Sequence, residues 1–415
     1  MKKILLISLN VLLYLNLFGQ NNQISLNSGY TNQSFYSMQN GEVLNVSNQD
    51  WDIAFSTDNF SSSIRTNDGK GVELYTYHLG DISSWNNISS NDINNLSELM
   101  FNTDTSWGYG AFDINQTGGL DYGWGVYNMQ THHVVGDSLF LIKTINQNWK
   151  KLWIESKISG EYQIKYADLD GSNEMNMSIP ALNYSDKNFI YYSLDNDQLI
   201  DREPNKNDWD ITFTKYMTLY PFQAGFTPYS VTGTLHNAGV EVAQVDNISS
   251  PLTYSDYSLH SFSTTINTIG YDWKEFQGSY VIVDDRCYFL RDKSGNIWRL
   301  TFINFDGTST GNIEFNTELI QSTDVNDLNS ITSFAIYPNP ATKNEELTLI
   351  YDLSTDNSKV TVRIYDVSGR ERYVSELNNH GLMSRTINIE GFNPGIYMIS
   401  INADGMQKTE RIVIN

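Results

Sequence analysis

Hydrophobic and polar positions alternate along most of this chain in short runs rich in Val, Ile, Tyr, Phe and Trp. A period of two predicts strands with one buried face, so the expected fold class is mainly β. Between the runs stand Asn40-Gly41, Asp68-Gly69, Asp170-Gly171, Ser294-Gly295, Asp306-Gly307 and Ser368-Gly369, pairs that favour tight hairpin turns. One short helix is expected over Ser90 to Phe101, where Ser90 or Asn91 can cap and Ile93, Leu96 and Met100 fall at helical spacing.

The pattern breaks at the start of the chain. Met1-Lys2-Lys3 leads into a mainly apolar stretch from Ile4 to Phe18, then Gly19-Gln20 and a polar run, which reads as a secretory signal peptide over 1–19. The apolar part is about 15 residues and falls short of the ~20 needed to span a bilayer. No cysteine follows it, so a lipoprotein anchor is not expected. No later run is long enough for a transmembrane helix, and the exported protein is expected to be soluble.

Two parts of the pattern repeat. Phe35-Tyr36-Ser37-Met38-Gln39-Asn40 leading to Trp51-Asp52-Ile53-Ala54-Phe55 returns as Tyr191-Tyr192-Ser193-Leu194-Asp195-Asn196 leading to Trp209-Asp210-Ile211-Thr212-Phe213. The ends correspond too: Leu139-Phe140-Leu141-Ile142 with Lys151-Leu152-Trp153-Ile154 matches Tyr288-Phe289-Leu290-Arg291 with Arg299-Leu300-Thr301-Phe302. Tandem β-domains are therefore expected at 20–182 and 183–321. In each Trp-Asp-Ile-x-Phe run the alternate apolar residues can face a core while the Asp caps a turn or meets water.

A polar segment at 322–330 reads as a linker. Beyond it, 331–415 carries four strand-length runs separated by turns and predicts a small antiparallel sandwich of immunoglobulin type. Its residues include Tyr337-Pro338-Asn339-Pro340-Ala341, Ile364-Tyr365-Asp366-Val367-Ser368-Gly369-Arg370, Asn393-Pro394-Gly395-Ile396-Tyr397 and the ending Arg411-Ile412-Val413-Ile414. In this order at the C-terminus they resemble the type A sorting domain of the Bacteroidota type IX secretion system. The resemblance implies a secretion-machinery partner, export through the periplasm, removal of the domain, and release or attachment at the outer surface.

The tandem segments carry a second resemblance. Phe35 to Met38, Gly41 to Val46, Trp51 to Phe55 and Arg65-Thr66-Asn67-Asp68-Gly69 look like the start of an HmuY-type haemophore, and Cys287 to Ile297 with Leu300-Thr301-Phe302 looks like its end. It implies two HmuY-like domains and a haem cofactor held between paired axial ligands. On that reading Met129, in Gly123-Trp124-Gly125-Val126-Tyr127-Asn128-Met129, stands nearest the second ligand position, with Trp124 and Tyr127 beside it; Met100 is the matching first ligand. A neutral, soft thioether can coordinate haem iron without losing a proton. Met100 falls on the apolar face of the short helix, where a Met is more often core filler. His132 and His133 are rival ligands, of which neighbouring strand positions would admit one to a given pocket. In the second segment Gln277 and Gly278 occupy the corresponding place, and neither is a useful haem donor.

Composition narrows the classes. The chain has 26 Lys and Arg against 48 Asp and Glu, and without Lys2 and Lys3 the balance is 24 − 48 = −24. That field repels phosphate backbones and anionic lipid, so nucleic acid is not an expected partner. The single cysteine, Cys287, forms no intrachain disulfide and sits in an apolar run, where a buried inert thiol is expected. Gly307-Thr308-Ser309-Thr310-Gly311 matches a nucleophile elbow, yet it lies between strand-like runs rather than a strand and a helix. Asp168-Leu169-Asp170-Gly171-Ser172-Asn173-Glu174 is too short for an EF-hand and reads as a solvated turn. His78, His236, His260 and His380 have no zinc-ligand spacing, and no metal is expected.

Two functions follow, neither of them enzymatic. One is a surface or released protein that binds haem or another flat apolar ligand. The other is a carbohydrate-binding or adhesion module, motivated by 9 Trp, 26 Tyr and 19 Phe that could form exposed platforms. Trp107, Trp124 and Tyr127 around one cleft with Met129 would favour the first, and in a row on an open surface the second.

Overall fold

The computed structural model describes residues 19–322, 331–343, 345–353, 360–377, 381–403 and 406–415. Most of the signal peptide and the linker, and His380, lie outside the described residues. The chain divides into two compact units, 1–321 and 322–415. Both are mainly β with antiparallel sheets.

The first unit contains two large apolar cores. One is built from residues between Ile53 and Leu199, including Phe55, Phe112, Trp124, Phe140, Tyr162 and Tyr192. The other joins Ile24, Leu26, Tyr30, Tyr36 and Met38 to residues between Ile211 and Phe315. Each is backed by an antiparallel sheet of matching order. Strand Met175–Ile179 pairs with Glu161–Asp168, which pairs with Trp149–Ile158 and then Leu139–Lys143. Likewise Gln20–Ser25 pairs with Asn312–Gln321, which pairs with Ile297–Phe305 and then Cys287–Arg291.

The two sequence copies therefore do not each close on themselves. The hairpin Asn32–Ser37 with Gly41–Ser47 pairs onto Ile211–Phe222 of the second copy, with Tyr36 opposite Ile211. The hairpin Phe189–Ser193 with Gln198–Ile200 pairs onto Ile53–Ser56 of the first, with Tyr192 opposite Ile53. The expected boundary at 182/183 thus separates the second hairpin from the core it completes. Similarity marks repeated units of sequence, whereas burial decides which strands share a core. The five residues from Ile24 to Met38 that belong to this core contribute on the order of 10 kcal/mol by burial, as much as the net stability of an ordinary domain.

The expected helix does not form as such. Ser90–Asn94 makes one 3-10 turn, capped by Ser89 with Asp92 in a reciprocal capping box. The chain then extends, and the Met100 N–H bonds to the Leu74 carbonyl as an isolated bridge. Asn91, Asn94 and Asn95 are weak helix formers, while Ile93 and Leu96 reach a satellite cluster around Tyr77 and Trp85 without a full helical turn between them.

The second unit is a two-sheet sandwich. Strand Glu346–Leu353 lies between Ile331–Tyr337 and Gly381–Asn388, and the other sheet orders Glu371–Glu376, Val360–Asp366, Gly395–Ala403 and Met406–Ile414. Its core includes Leu347, Leu349, Val362, Ile364, Ile399 and Ile412. At the turn after Val360–Asp366, the Asp366 carboxylate accepts from the Ser368 and Arg370 N–H groups, and Gly369 supplies the left-handed φ of 81°.

Candidate functional site: two clefts and an aromatic arm

The first cleft, of about 460 Å³, lies beside the hairpin Gly125–Asn128 with His133–Gly136. Tyr122, Tyr127, His132, His133, Lys157 and Phe60 line it together with small polar residues. No carboxylate is among the lining residues, in a chain where Asp and Glu outnumber Lys and Arg by 48 to 26. The Tyr127 hydroxyl is 2.7 Å from His132 Nδ1. His132 holds this position from the turn, at φ 60°, a region that non-glycine residues seldom occupy. Because His132 is in the turn and not on the strand, it and His133 both reach the cleft, contrary to the expectation from strand alternation. Lys157 is buried, donates to the Asp58 carbonyl at 2.9 Å and to the Ser61 carbonyl, and burial pushes its ammonium down to about 8.

The methionines of the expected ligand pair are not brought to this cleft. Met100 is 4% exposed, and its sulfur accepts from the Thr76 hydroxyl at 3.0 Å and the Asn115 amide at 3.6 Å. Met129 is 69% exposed at the hairpin tip and lines none of the clefts described. One sulfur is committed to the packed interior and the other projects into solvent, so the pair does not fit a haem between two thioethers. Trp124 is fully buried in the first core, with its indole N–H donating to the Ser62 carbonyl at 3.0 Å. Of the four, Tyr127 alone lines the acid-free cleft.

Trp107 lies elsewhere again. It sits between the halves of the first unit against Phe189 and Trp209, and donates to the His236 carbonyl at 2.9 Å. Trp107, Trp124, Tyr127 and Met129 thus neither ring one cleft nor form an open row. In the second segment Gln277 and Gly278 form the turn between Lys274–Phe276 and Tyr280–Ile282.

A second cleft, of about 440 Å³, opens between the halves. Val72, Tyr75, Leu99, Met100, Phe101 and Met217 line it, together with Lys70, Lys215, Asp68 and Glu73. Close contact makes it: a side chain on Gly69 would meet the Lys215 carbonyl at 2.3 Å.

The third feature went unnoticed in the sequence. Strands Ile211–Phe222 and Gly225–His236 form a long hairpin whose distal part exposes Leu219, Tyr220, Phe222, Phe226 and Tyr229. No Asp, Glu, Lys or Arg occurs between Tyr216 and Val240, and that charge-free run with Pro221 and Pro228 was the available sign. Tyr220 packs against Tyr229 at 5.4 Å and Tyr271 at 5.8 Å between ring centroids.

The remaining motifs are structural. Gly307–Ser309 is a short 3-10 turn between two strands. The Asp168 and Asp170 carboxylates accept hydrogen bonds from Ser172 and Asn173 within their own turn. Among the described residues no group of three His, Cys, Asp or Glu could hold a metal ion. No helix among them is long and apolar enough to cross a membrane.

Residues 335–415 match the secretion system C-terminal sorting domain. The chain is accordingly exported by the type IX route and is secreted or displayed at the cell surface. No curated protein matches the chain. Among solved structures it is similar to PorZ, a surface component of the type-IX secretion system of Porphyromonas gingivalis, at 10% identity and a TM-score of 0.16 over 70% of this chain and 44% of that one. It is also similar to dimeric latent PorU of the same organism, at 10% identity and 0.17 over 85% and 31%. A BSP domain of a biofilm associated protein gives 10% and 0.19 over 83% and 75%. The chain spans less than half the length of the PorZ and PorU chains, and similarity this low assigns neither fold family nor function.

Proposed function

We propose that the exported first unit is a binding protein rather than an enzyme, and that its ligand sits in the Tyr127 cleft. The observation that supports this reading is the cleft's composition: one lysine, two histidines and aromatic rings without a carboxylate, in a strongly acidic chain. Such a lining favours a flat apolar molecule with acidic substituents, and haem is the first ligand to try.

Haem would supply an iron that accepts imidazole nitrogen or phenolate oxygen. Tyr127 and His133 offer those atoms, and His132 orients the phenol through its 2.7 Å contact. Lys157 contributes positive charge to the cleft floor, since its hydrogen bonds are already given to carbonyl oxygens. Met100 and Met129 have no part in this arrangement.

Titrating hemin into the mature chain tests the reading. A sharpened Soret band is expected, weakened in Tyr127→Phe and His133→Ala and unchanged in Met129→Ala. No spectral change at micromolar hemin would end the haem reading, and retention of the band in both variants would move the ligand away from this cleft. The packed Tyr220, Tyr229 and Tyr271 favour a second reading, glycan adhesion through the arm. Loss of polysaccharide binding in Tyr220→Ser with hemin binding intact would support it.

A further inference from the structure

The apolar cleft between the halves continues onto one face of the arm. Met217 lines the cleft, and Leu219 and Pro221 follow it at alternate positions. Across the hairpin Ser230, Pro228 and Phe226 stand opposite these three, so all six share a face. Ser230 donates to the Gly69 carbonyl at 2.8 Å and seals the arm's root over the cleft edge. From there the surface runs outward to Leu219 and Phe226, which are 53% and 71% exposed.

Two lysines line the cleft. Lys70 donates to the Tyr30 carbonyl at 2.9 Å, Lys215 lies 6.0 Å from the Tyr30 ring centre, and neither forms an ion pair among the described residues. Burial lowers both ammonium groups, and the charge of Lys215 lowers Lys70 further. Two carboxylates also line the cleft, and both are engaged elsewhere. Asp68 accepts from the Asn102 backbone and side chain at 2.8 and 2.7 Å, and Glu73 accepts from Lys143 and the Tyr75 hydroxyl.

The arm excludes one common partner. The pair Phe222 and Gly225 closes a two-residue turn and is hydrogen-bonded, so Pro221 and Pro228 fall at positions whose nitrogen faces outward. Each outer edge therefore lacks a donor where a strand would add. An anionic bilayer is disfavoured by the chain's net charge of −22.

We infer that this cleft and the adjoining arm face bind a single long-chain fatty acid, its carboxylate at Lys70 and Lys215 and its alkyl chain along Met100, Phe101 and Met217 toward Leu219 and Phe226. A volume of about 440 Å³ is in the range of small-ligand sites. The open arm face accommodates chain that the cleft does not enclose.

Fluorescence titration of the full mature chain with cis-parinaric acid tests the inference. Saturable binding is expected, weaker by about tenfold or more in the double variant Lys70→Gln with Lys215→Gln and in Phe226→Ser, and weaker for the methyl ester than for the acid. These side chains are partly or largely exposed, and unchanged melting temperatures would verify folding. Equal binding of ester and acid, or full affinity in the lysine variant, would overturn the assignment. So would binding to phosphatidylcholine vesicles without binding of the free acid. Dimerisation abolished by Phe226→Ser, without fatty-acid binding, would give the face to a second copy and also overturn it. Hemin binding reads a separate cleft, so either outcome leaves the Tyr127 reading standing on its own test.

Discussion

The Asp210 carboxylate accepts a hydrogen bond from the backbone N–H of Met38, 172 residues earlier, at 2.7 Å. Asp52 makes the mirror contact with Leu194 N–H at 2.8 Å. The backbone repeats the exchange: Asp210 N–H donates to the Tyr36 carbonyl and Asp52 N–H to the Tyr192 carbonyl. Each Trp-Asp-Ile-x-Phe aspartate thus fastens the hairpin of the other copy. Asn67 and Asn237 complete the symmetry by donating to the carbonyls of Trp51 and Trp209.

Removing either aspartate leaves buried N–H groups unpaired. Asp52→Ala and Asp210→Ala are each expected to cost about 2–4 kcal/mol in denaturant unfolding. Burial pushes both carboxyls up to about 6. A raised native value adds stability that is fully present below the unfolded value and lost as pH rises through about 6. The stability gap between wild type and the non-titrating Asp210→Asn should therefore narrow from pH 4 to pH 7, and a gap that widens would refute the assignment.

The fragment 48–200 contains one complete core and its hairpin. It should fold alone with a cooperative transition. The fragment 183–321 lacks Ile24 to Met38 and should remain unfolded by circular dichroism. A cooperatively folded 183–321 would mean that the N-terminal hairpin is dispensable.

Lys274 is buried against the Trp273 ring, its nitrogen 3.9 Å from the centroid, and donates to the carbonyls of Thr232 and Tyr271. Burial pushes its ammonium down to about 7. A lowered lysine contributes stability that is fully present above the unfolded value and lost as pH falls through the folded one. Wild type should gain stability relative to Lys274→Met between pH 7 and 10, measured by thermal melts.

Cys287 is wholly buried, and burial pushes its thiol up to about 12. A thiol-specific disulfide reagent should label it only in denaturant. Stoichiometric labelling of the native protein at pH 8 would contradict that inert role.

Deletion of 331–415 should leave the first unit inside the cell, because the sorting domain is what the export route reads. Cell fractionation distinguishes the outcomes, and undiminished surface display would refute the requirement.

Much was legible in the chain itself. Period-two patterning and the Gly-containing turns gave the β class, and Tyr337 to Ala341, Ser368-Gly369-Arg370 and the closing Arg411 to Ile414 marked the sorting domain. These signals are local, carried by residues a few positions apart. The repeat was equally plain, but similarity between Tyr36 and Tyr192 cannot tell which aspartate each one meets.

Tertiary structure decided that pairing, because a buried strand joins whichever sheet covers its apolar face. It also separated Met100 from Met129, placing one in the packed interior and one at a hairpin tip. It gathered Tyr127, His132 and His133 around an acid-free cleft through a left-handed turn that strand alternation does not describe. The sequence determined the delivery route and the strands. Where ligands meet the protein depended on contacts between residues far apart in the chain, and those exist only once the chain has folded.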